Sequence, residues 1–504
     1  MVTTPKRNFQ RFGLLPVALI LLTVVTRLPS LLHPQAIDDE AVYSMVANEV
    51  VDGGRPYLEA VERKPPLLFW TYAAIFGLAG KYNWVALHFV ALLWTLGTMA
   101  GLYAIGRRLF NRETGLIAAL LYSVFQPWAT ANNLAFNGEL MMNLPLVCAW
   151  AIAFGPGKTR LRPELLAAGA LLCAGFLLKQ PAAITAIPLG IYLLLPSYRA
   201  SRGLTKTESV IHAAMLTVGF FATLGLAAAV LYRQGILREA FYWTFTNHSV
   251  PRVFWSAGVL YTLGFIGACL PLVIGGAMAF QDKDGLWTNK IAERSALLGL
   301  LAASGLGAAA GARFYPHYYI QLIPPLALLA APYYARLWVE RTKPHSWFFR
   351  PAFTCSWLAL AVIAFSISHW KFLAWHREPS ETARYISEHS TPGDRIFIWG
   401  RSAAEVYLQA RRRPACRYVL TFPLTGLVFG GELPGLDTRD RIVPGAWDNL
   451  TEDFRKHPPV YIADHYSGPD AQYPVRDFPI LAKLLAEHYQ PVAQTAQGVI
   501  YRIR

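Results

Sequence analysis

The chain has 504 residues, of which 54% are hydrophobic and only 15% charged, and its mean hydropathy is +0.32. A soluble domain carries about 25% charged residues, so most of this chain cannot face water, and its 13% aromatic content excludes a disordered chain. The net charge of +15 comes largely from residues between apolar runs, as in the basic loops of a polytopic membrane protein, and no basic stretch interleaved with aromatics marks a nucleic-acid partner.

Apolar runs of span length cover, in chain order, 13–32, 84–106, 115–131, 139–155, 164–179, 181–196, 209–233, 256–280, 296–312, 317–335 and 351–370. The first has basic residues before it but no small-residue cleavage site after it, so it reads as an uncleaved span. The stretch 65–80 is ambiguous, and charge bias decides it. If it does not cross, the N-terminus (Lys6, Arg7, Arg11) shares a side with Arg107, Arg108 and Arg112, with Lys158, Arg160 and Arg162, with Arg199, Arg202 and Lys206, with Lys283, Lys290 and Arg294, and with Arg336, Arg341, Lys343 and Arg350. The opposite loops are poor in Lys and Arg: 132–138 has none. The reading is therefore about eleven transmembrane helices over 1–370, a cytoplasmic N-terminus, an interfacial or re-entrant helix at 65–80 and a long first external loop, 33–83.

The odd span count exports residues 371–504, which have the charge density of a soluble domain. Helices are expected at 380–389, 402–410, 447–456 and 478–489, and strands at 394–400, 416–421, 459–464 and 497–503, giving a small extracytoplasmic α/β domain. The five cysteines, Cys148, Cys173, Cys269, Cys355 and Cys416, are odd in number and form no CxxC, so neither a disulfide framework nor a zinc site is expected.

The first external loop carries the chemistry. Asp38, Asp39 and Glu40 precede Val42, Met45, Val46 and Val50, which share a helical face, so an amphipathic helix on the membrane surface is expected with three acids at its start. Helix capping and the helix dipole explain such acids without any function. Later, Arg63 and Lys64 stand before Pro65-Pro66 and an aromatic-rich apolar stretch. Cations there either snorkel to headgroups or bind a lipid phosphate. Glu139 opens a span, Lys179 lies between two apolar runs, and Arg313, His317 and Tyr318 fall in a short external loop. Helix-start charge, snorkelling and an aromatic belt account for these residues in turn. An intramembrane or interfacial ion is costly enough that a functional reading stands beside each.

Together these pieces resemble the GT-C-type glycosyltransferases, specifically the dolichyl-phosphate-mannose–protein mannosyltransferase and aminoarabinose-transferase superfamily (glycosyltransferase family 39-like). The resemblance rests on Asp39-Glu40-Ala41-Val42-Tyr43, Lys64-Pro65-Pro66-Leu67, Gly106-Arg107-Arg108-Leu109-Phe110 and Asn137-Gly138-Glu139, in that order. It is strongest over 1–200, and Asp394–Gly400 with Tyr407-Leu408 resemble the tails of bacterial members. It implies inverting transfer of a sugar from a polyprenyl-phosphate donor to a cell-envelope acceptor (lipid, polysaccharide or protein) at the outer face of a bacterial inner membrane. It makes Asp39 the base, with Glu40 and Glu139 as further catalytic carboxylates. Lys64, Arg63, Arg313 and His317 become contacts of the donor phosphate, and Asp38, Lys179 and Tyr318 pocket residues. Neither a cofactor nor a metal is implied. Nothing corresponds to the extra soluble insertion of eukaryotic protein mannosyltransferases, which argues against a protein acceptor. One carboxylate suffices where the leaving group is already a stable phosphate, whereas a glycosidase needs a second to protonate its leaving group. The rival readings are a transporter or lipid flippase, which needs ionisable residues near span centres, and a glycan-binding envelope scaffold.

Overall fold

The computed structural model describes residues 14–156, 161–247, 255–281, 285–340, 351–375, 378–427, 437–466 and 472–504. Nine of the basic residues behind the orientation argument, Lys6, Arg7, Arg11, Lys158, Arg160, Lys283, Arg341, Lys343 and Arg350, lie outside that set. The chain divides into two compact units, one formed by the described parts of Met1–Pro34, His88–Leu226 and Phe254–Ala374, the other by those of Gln35–Leu87, Ala227–Val253 and Trp375–Arg504.

Among the described residues, five helices are long and apolar enough to cross a membrane: Leu15–Leu32, Trp84–Leu109, Lys206–Arg233, Thr288–Ala309 and Ala352–Ala374. Counting two bent pairs, broken by 55° after Leu194 and by 88° after Ala268, raises the number to seven. The expected runs around 115–131, 139–155 and 164–179 form helices of 14, 16 and 15 residues. At 1.5 Å per residue these extend only about 21–24 Å, short of the roughly 30 Å hydrocarbon core. The stretch 65–80 forms a helix of 14 residues, Pro66–Ala79.

The first unit is a helical bundle packed through small residues. A Cβ on Gly169 would strike the backbone of Leu216 and one on Gly219 that of Leu166, so helices Glu164–Leu178 and Lys206–Arg233 touch main chain to main chain. Arg27 is buried, and its guanidinium donates to Gln126 Oε1 at 3.1 Å and to the Leu134 carbonyl at 2.5 Å. Gln126 in turn donates to the Asn133 carbonyl at 2.7 Å. This network satisfies a buried charge and pins the chain just before Asn137 and Glu139.

The second unit is built on a five-stranded sheet in the order β2-β1-β3-β5-β4, with β1 Arg395–Trp399, β2 Arg413–Pro414, β3 Tyr461–Asp464, β4 Tyr489–Gln494 and β5 Val499–Ile503. β1 runs parallel to β2 and β3, and its continuous Ile-Phe-Ile-Trp run is fully buried, as a central parallel strand requires. The four expected tail helices form, at Glu381–His389, Ala403–Ala410, Ala446–Lys456 and Pro479–His488. One strand expectation and one helix boundary differ. Residues 416–421 make no strand, because the Arg417 carbonyl accepts from Val61 N at 2.9 Å and the Arg417 N–H donates to Asp453 at 2.9 Å. The edge strand β4 follows directly on a helix, where the pattern suggested helix through residue 489.

Helix Glu40–Val51 also departs from expectation. It is not a half-exposed surface helix: every residue from Glu40 to Glu49 is buried, and it packs against helices Pro66–Ala79 and Ala403–Ala410 of the same unit. Ala41, Ser44 and Ala47 between the valines leave little side-chain bulk at those positions, so neighbouring helices can close over it although Asn48 and Glu49 are polar.

Candidate functional site

In the second unit the chain approaches helix Glu40–Val51 through Asp38, an exposed residue in the left-handed region at φ 53°. Aspartate tolerates that conformation better than most residues. Its consequence is that the next two carboxylates diverge. Glu40 is fully buried and accepts from the Ile37 N–H at 2.8 Å, closing the helix start. Asp39 makes no side-chain cap; its Oδ2 accepts from the Tyr43 hydroxyl at 2.7 Å, one helical turn on, and 38% of its side chain remains exposed. The Asp39 carboxylate is therefore oriented yet reachable.

Lys64 Nζ lies 3.8 Å from Asp39 Oδ2, 4.0 Å from Glu62 and 5.7 Å from the centre of the Tyr43 ring. Its own carbonyl accepts from the buried Tyr57 hydroxyl at 2.7 Å, which fixes the backbone before Pro65. A partly exposed pair at this distance is weak in water, so the ammonium remains available to a stronger anion. Arg63 faces elsewhere: its guanidinium sits 4.4 Å from the centre of the Phe422 ring, a cation–π contact with the tail.

The tail holds this loop at several points. Val61 pairs in parallel with Tyr418, Arg413 Nε donates to Glu49 at 3.2 Å and its second nitrogen also meets Glu49, and Arg413 lies 3.7 Å from Asp52. Arg417 forms a bidentate pair with Asp453, at 2.7 and 2.9 Å, which raises the guanidinium's already high pKa through that hydrogen bond and charge.

A second cluster lies in the first unit. Asn137 caps helix Gly138–Ala153 by accepting from Leu140 N at 3.0 Å, so Glu139 is not needed for capping. Glu139 is buried, and Lys179 Nζ, itself 9% exposed, meets it at 2.6 Å. Lys179 does not snorkel to solvent. Gly138 makes the approach feasible, since a Cβ there would lie 2.9 Å from Lys179 Cδ. His317 Nε2 is 4.0 Å from Glu139, and the Tyr318 ring lies 5.1 Å from Lys179 Nζ. His317, expected with Arg313 as a contact of the donor phosphate, has Glu139 as its nearest carboxylate at 4.0 Å. Arg313 is half-buried between Ala312 and Phe314, both at positive φ (53° and 54°), and no carboxylate partners it among the described residues. These two positive-φ residues flank Arg313 on either side, a conformation that costs energy in residues other than glycine.

The structure sets Asp39 beside Lys64 in the second unit and Glu139 beside Lys179, His317 and Tyr318 in the first; the sequence named all six residues but did not group Glu139 with the other three. Sequence reasoning gave no role to Tyr43, Tyr57, Glu62, Phe422 or Arg413. Only Tyr43 carried a usable signal, its i+4 spacing from Asp39 on a helix. Among the described residues no three His, Cys, Asp or Glu side chains group as metal ligands do.

Residues 63–228 match the family model described as dolichyl-phosphate-mannose-protein mannosyltransferase. The fold is similar to that of ArnT from Cupriavidus metallidurans bound to undecaprenyl phosphate, with a TM-score of 0.59 at 16% identity over 98% of both chains. The apo state of the same protein gives 0.60 at 16% identity, over 97% of both. The archaeal oligosaccharyltransferase AglB from Archaeoglobus fulgidus, in complex with an inhibitory peptide and a dolichol-phosphate, gives 0.53 at 12% identity, over 97% of this chain and 74% of that one. Comparison with curated protein sequences finds no match.

Proposed function

We propose that this chain, a GT-C superfamily member by its fold and by the match over 63–228, transfers a sugar with inversion from a polyprenyl-phosphate donor to a cell-envelope acceptor. The reaction takes place at the outer face of a bacterial inner membrane. The observation that carries this reading is the Asp39–Lys64 arrangement: a carboxylate held by Tyr43 and left partly exposed, 3.8 Å from an ammonium.

In the proposed step an acceptor hydroxyl attacks the anomeric carbon as the bond from that carbon to the phosphate oxygen breaks. The bond's electron pair leaves on the phosphate, where Lys64 stabilises it. The hydroxyl proton passes to Asp39. A free aspartate has a pKa of about 3.9 and is a weak base toward an alcohol, so the proton moves late, once positive character at the sugar has made the attacking oxygen acidic. Glu40, with its carboxylate closing the helix start, acts by placing Asp39. Arg63 fixes the depth of Lys64 by resting on Phe422. In the other unit, Arg313 is assigned to phosphate contact, and Glu139 with Lys179 and His317 to orientation. Undecaprenyl phosphate bound to ArnT and dolichol-phosphate bound to AglB support a lipid-phosphate donor.

The test uses undecaprenyl phosphate as the probe. Lys64→Ala should weaken its binding to the purified chain about tenfold to hundredfold, the worth of a charge-assisted hydrogen bond; unchanged binding would assign Lys64 to snorkelling. Deleting the gene should make a polyprenyl-phosphate sugar accumulate while one envelope glycoconjugate loses that sugar, and the pair identifies donor and acceptor. Reporter fusions after Arg160, Arg202 and Arg341 should read cytoplasm and one near Gly430 should read outside. A cytoplasmic tail would sink the proposed location of the reaction.

A further inference from the structure

At the carboxyl ends of the parallel strands β1 and β3, the tail brings a serine and a histidine together. β1 connects through helix Ala403–Ala410 to β2 on one side and has β3 on the other, so the strand order reverses beside it. The crevice beyond such a reversal is where open parallel sheets take their ligands. Ser402 stands there between β1 and the helix, and it is exposed. His465 directly follows β3 and is buried, and its backbone N–H donates to the Trp399 carbonyl at 2.9 Å. Gly400 leaves room for it, since a Cβ there would lie 2.6 Å from His465 Cβ.

A serine in the N-cap position ordinarily accepts from the backbone of its helix, but Ser402 makes no cap. Its hydroxyl lies 3.2 Å from His465 Nδ1. The contacts behind the histidine fix where the protons are. Gln497 Oε1 accepts from the Thr382 N–H at 3.4 Å, and a carbonyl oxygen only accepts, so the Thr382 hydroxyl donates its proton to the same atom at 3.2 Å. Thr495, 3.1 Å from the Thr382 hydroxyl, sends its own proton to the Gly498 carbonyl at 3.1 Å. The Thr382 oxygen is thus left to accept from His465 Nε2–H at 3.1 Å. With its proton on Nε2, His465 turns the Nδ1 lone pair to the Ser402 hydroxyl. A reachable hydroxyl, a base and a group that holds the base's tautomer make the constellation of an activated nucleophile.

We propose that Ser402 is the nucleophile of a second catalytic site, which takes the acyl group of a carboxylic ester, with His465 as its base and Thr382 as a positioning residue. The Ser402 oxygen bonds to the ester's carbonyl carbon while its proton passes to His465 Nδ1. The carbonyl electron pair moves onto oxygen, beside the N–H groups of the helix's first turn that Ser402 leaves uncapped. The bond from that carbon to the alcohol oxygen then breaks, and the alcohol leaves with the proton held by His465. A water molecule repeats the sequence on the acyl-serine, giving its proton to His465 and releasing the carboxylic acid and Ser402. An ester suits this site better than an amide. A neutral threonine behind the histidine supports the imidazolium less than the aspartate of a full triad does, so the easier leaving group is the one it can expel. Gly400-Arg401-Ser402 between a strand and a helix also follows the nucleophile-elbow pattern, with Ala404 in the place of its second glycine.

The test uses the purified full-length protein and a fluorophosphonate, which bonds covalently to activated serines. Peptide mass spectrometry should find the label on Ser402, p-nitrophenyl acetate should be hydrolysed, and Ser402→Ala should lose both. His465→Gln should slow labelling about 10²–10⁴-fold, the worth of a general base. Thr382→Val should slow it as well, and Thr382→Ser should restore it. Absence of label on Ser402, labelling that persists after heat unfolding, or an unchanged rate in folded His465→Gln overturns the inference. Label on Ser402 without hydrolysis of p-nitrophenyl acetate overturns the ester assignment. If His465→Gln does not fold, Thr382→Val decides, and a labelling rate equal to the parent's refutes the relay. Undecaprenyl phosphate binding by Ser402→Ala should match the parent, and its loss would make Ser402 structural and overturn the proposal. None of these outcomes bears on Asp39 or Lys64, so failure here leaves the glycosyl-transfer reading standing.

Discussion

Asp39→Asn is expected to lower sugar transfer by about 10²–10⁴, the usual cost of removing a general base, with undecaprenyl phosphate binding and thermal stability near those of the parent. The amide keeps the size of the side chain and can still accept from the Tyr43 hydroxyl, now at 2.7 Å from Oδ2. Asp39 makes no side-chain cap, so little helix stability depends on its charge. What the substitution removes is proton affinity and the ion pair with Lys64, and the latter is worth at most about 1 kcal/mol at this exposure. Asp38→Asn and Glu40→Gln are the controls. Asp38 is exposed and should change transfer little, whereas Glu40 accepts from Ile37 N in a buried setting and should cost stability first. Transfer by Asp39→Asn within a few-fold of the parent would remove Asp39 as the base.

Lys179→Ala is expected to destabilise the chain by about 3–5 kcal/mol, because it leaves the buried Glu139 carboxylate without the ammonium now 2.6 Å away. His317 Nε2 stands 4.0 Å off, beyond the reach of a charge-assisted hydrogen bond, so it does not replace the lost ammonium. The double variant Glu139→Gln with Lys179→Met should recover most of the stability, since neither side then presents an unpaired charge. Denaturation midpoints of the two variants and the parent check this. A single variant as stable as the parent would mean that Glu139 is already protonated or otherwise compensated.

The long apolar runs, the tail's α/β character and the acid-first motif at Asp39 were legible because each is local: hydropathy, alternation and short spacing are properties of neighbours in sequence. The enclosure of helix Glu40–Val51 was not, since Val42, Met45, Val46 and Val50 make the same stripe whether the opposite side meets water or Ala403–Ala410. Lys179 and Glu139 were each singled out, but nothing local pairs a residue after one helix with another at the start of a different one. Nothing local to Arg63 foretells the Phe422 ring beneath its guanidinium. The β-rich run 416–421 keeps its strand propensity, yet its backbone is committed to Val61 and Asp453, a case of tertiary contacts overriding propensity.

The Arg413–Glu49 contact spans 364 positions of chain. At about 5–20 residues per second of synthesis, the segment carrying Asp39 and Lys64 waits roughly 20–70 s before its tail partners are made. A nascent chain in that interval has its apolar helix Glu40–Val51 uncovered, and the pairing of Val61 with Tyr418 is not yet made. The surroundings of Asp39 are thus completed last, by the final quarter of the polypeptide. Chains truncated before Arg413 lack both the Glu49 contact and the pairing of Val61.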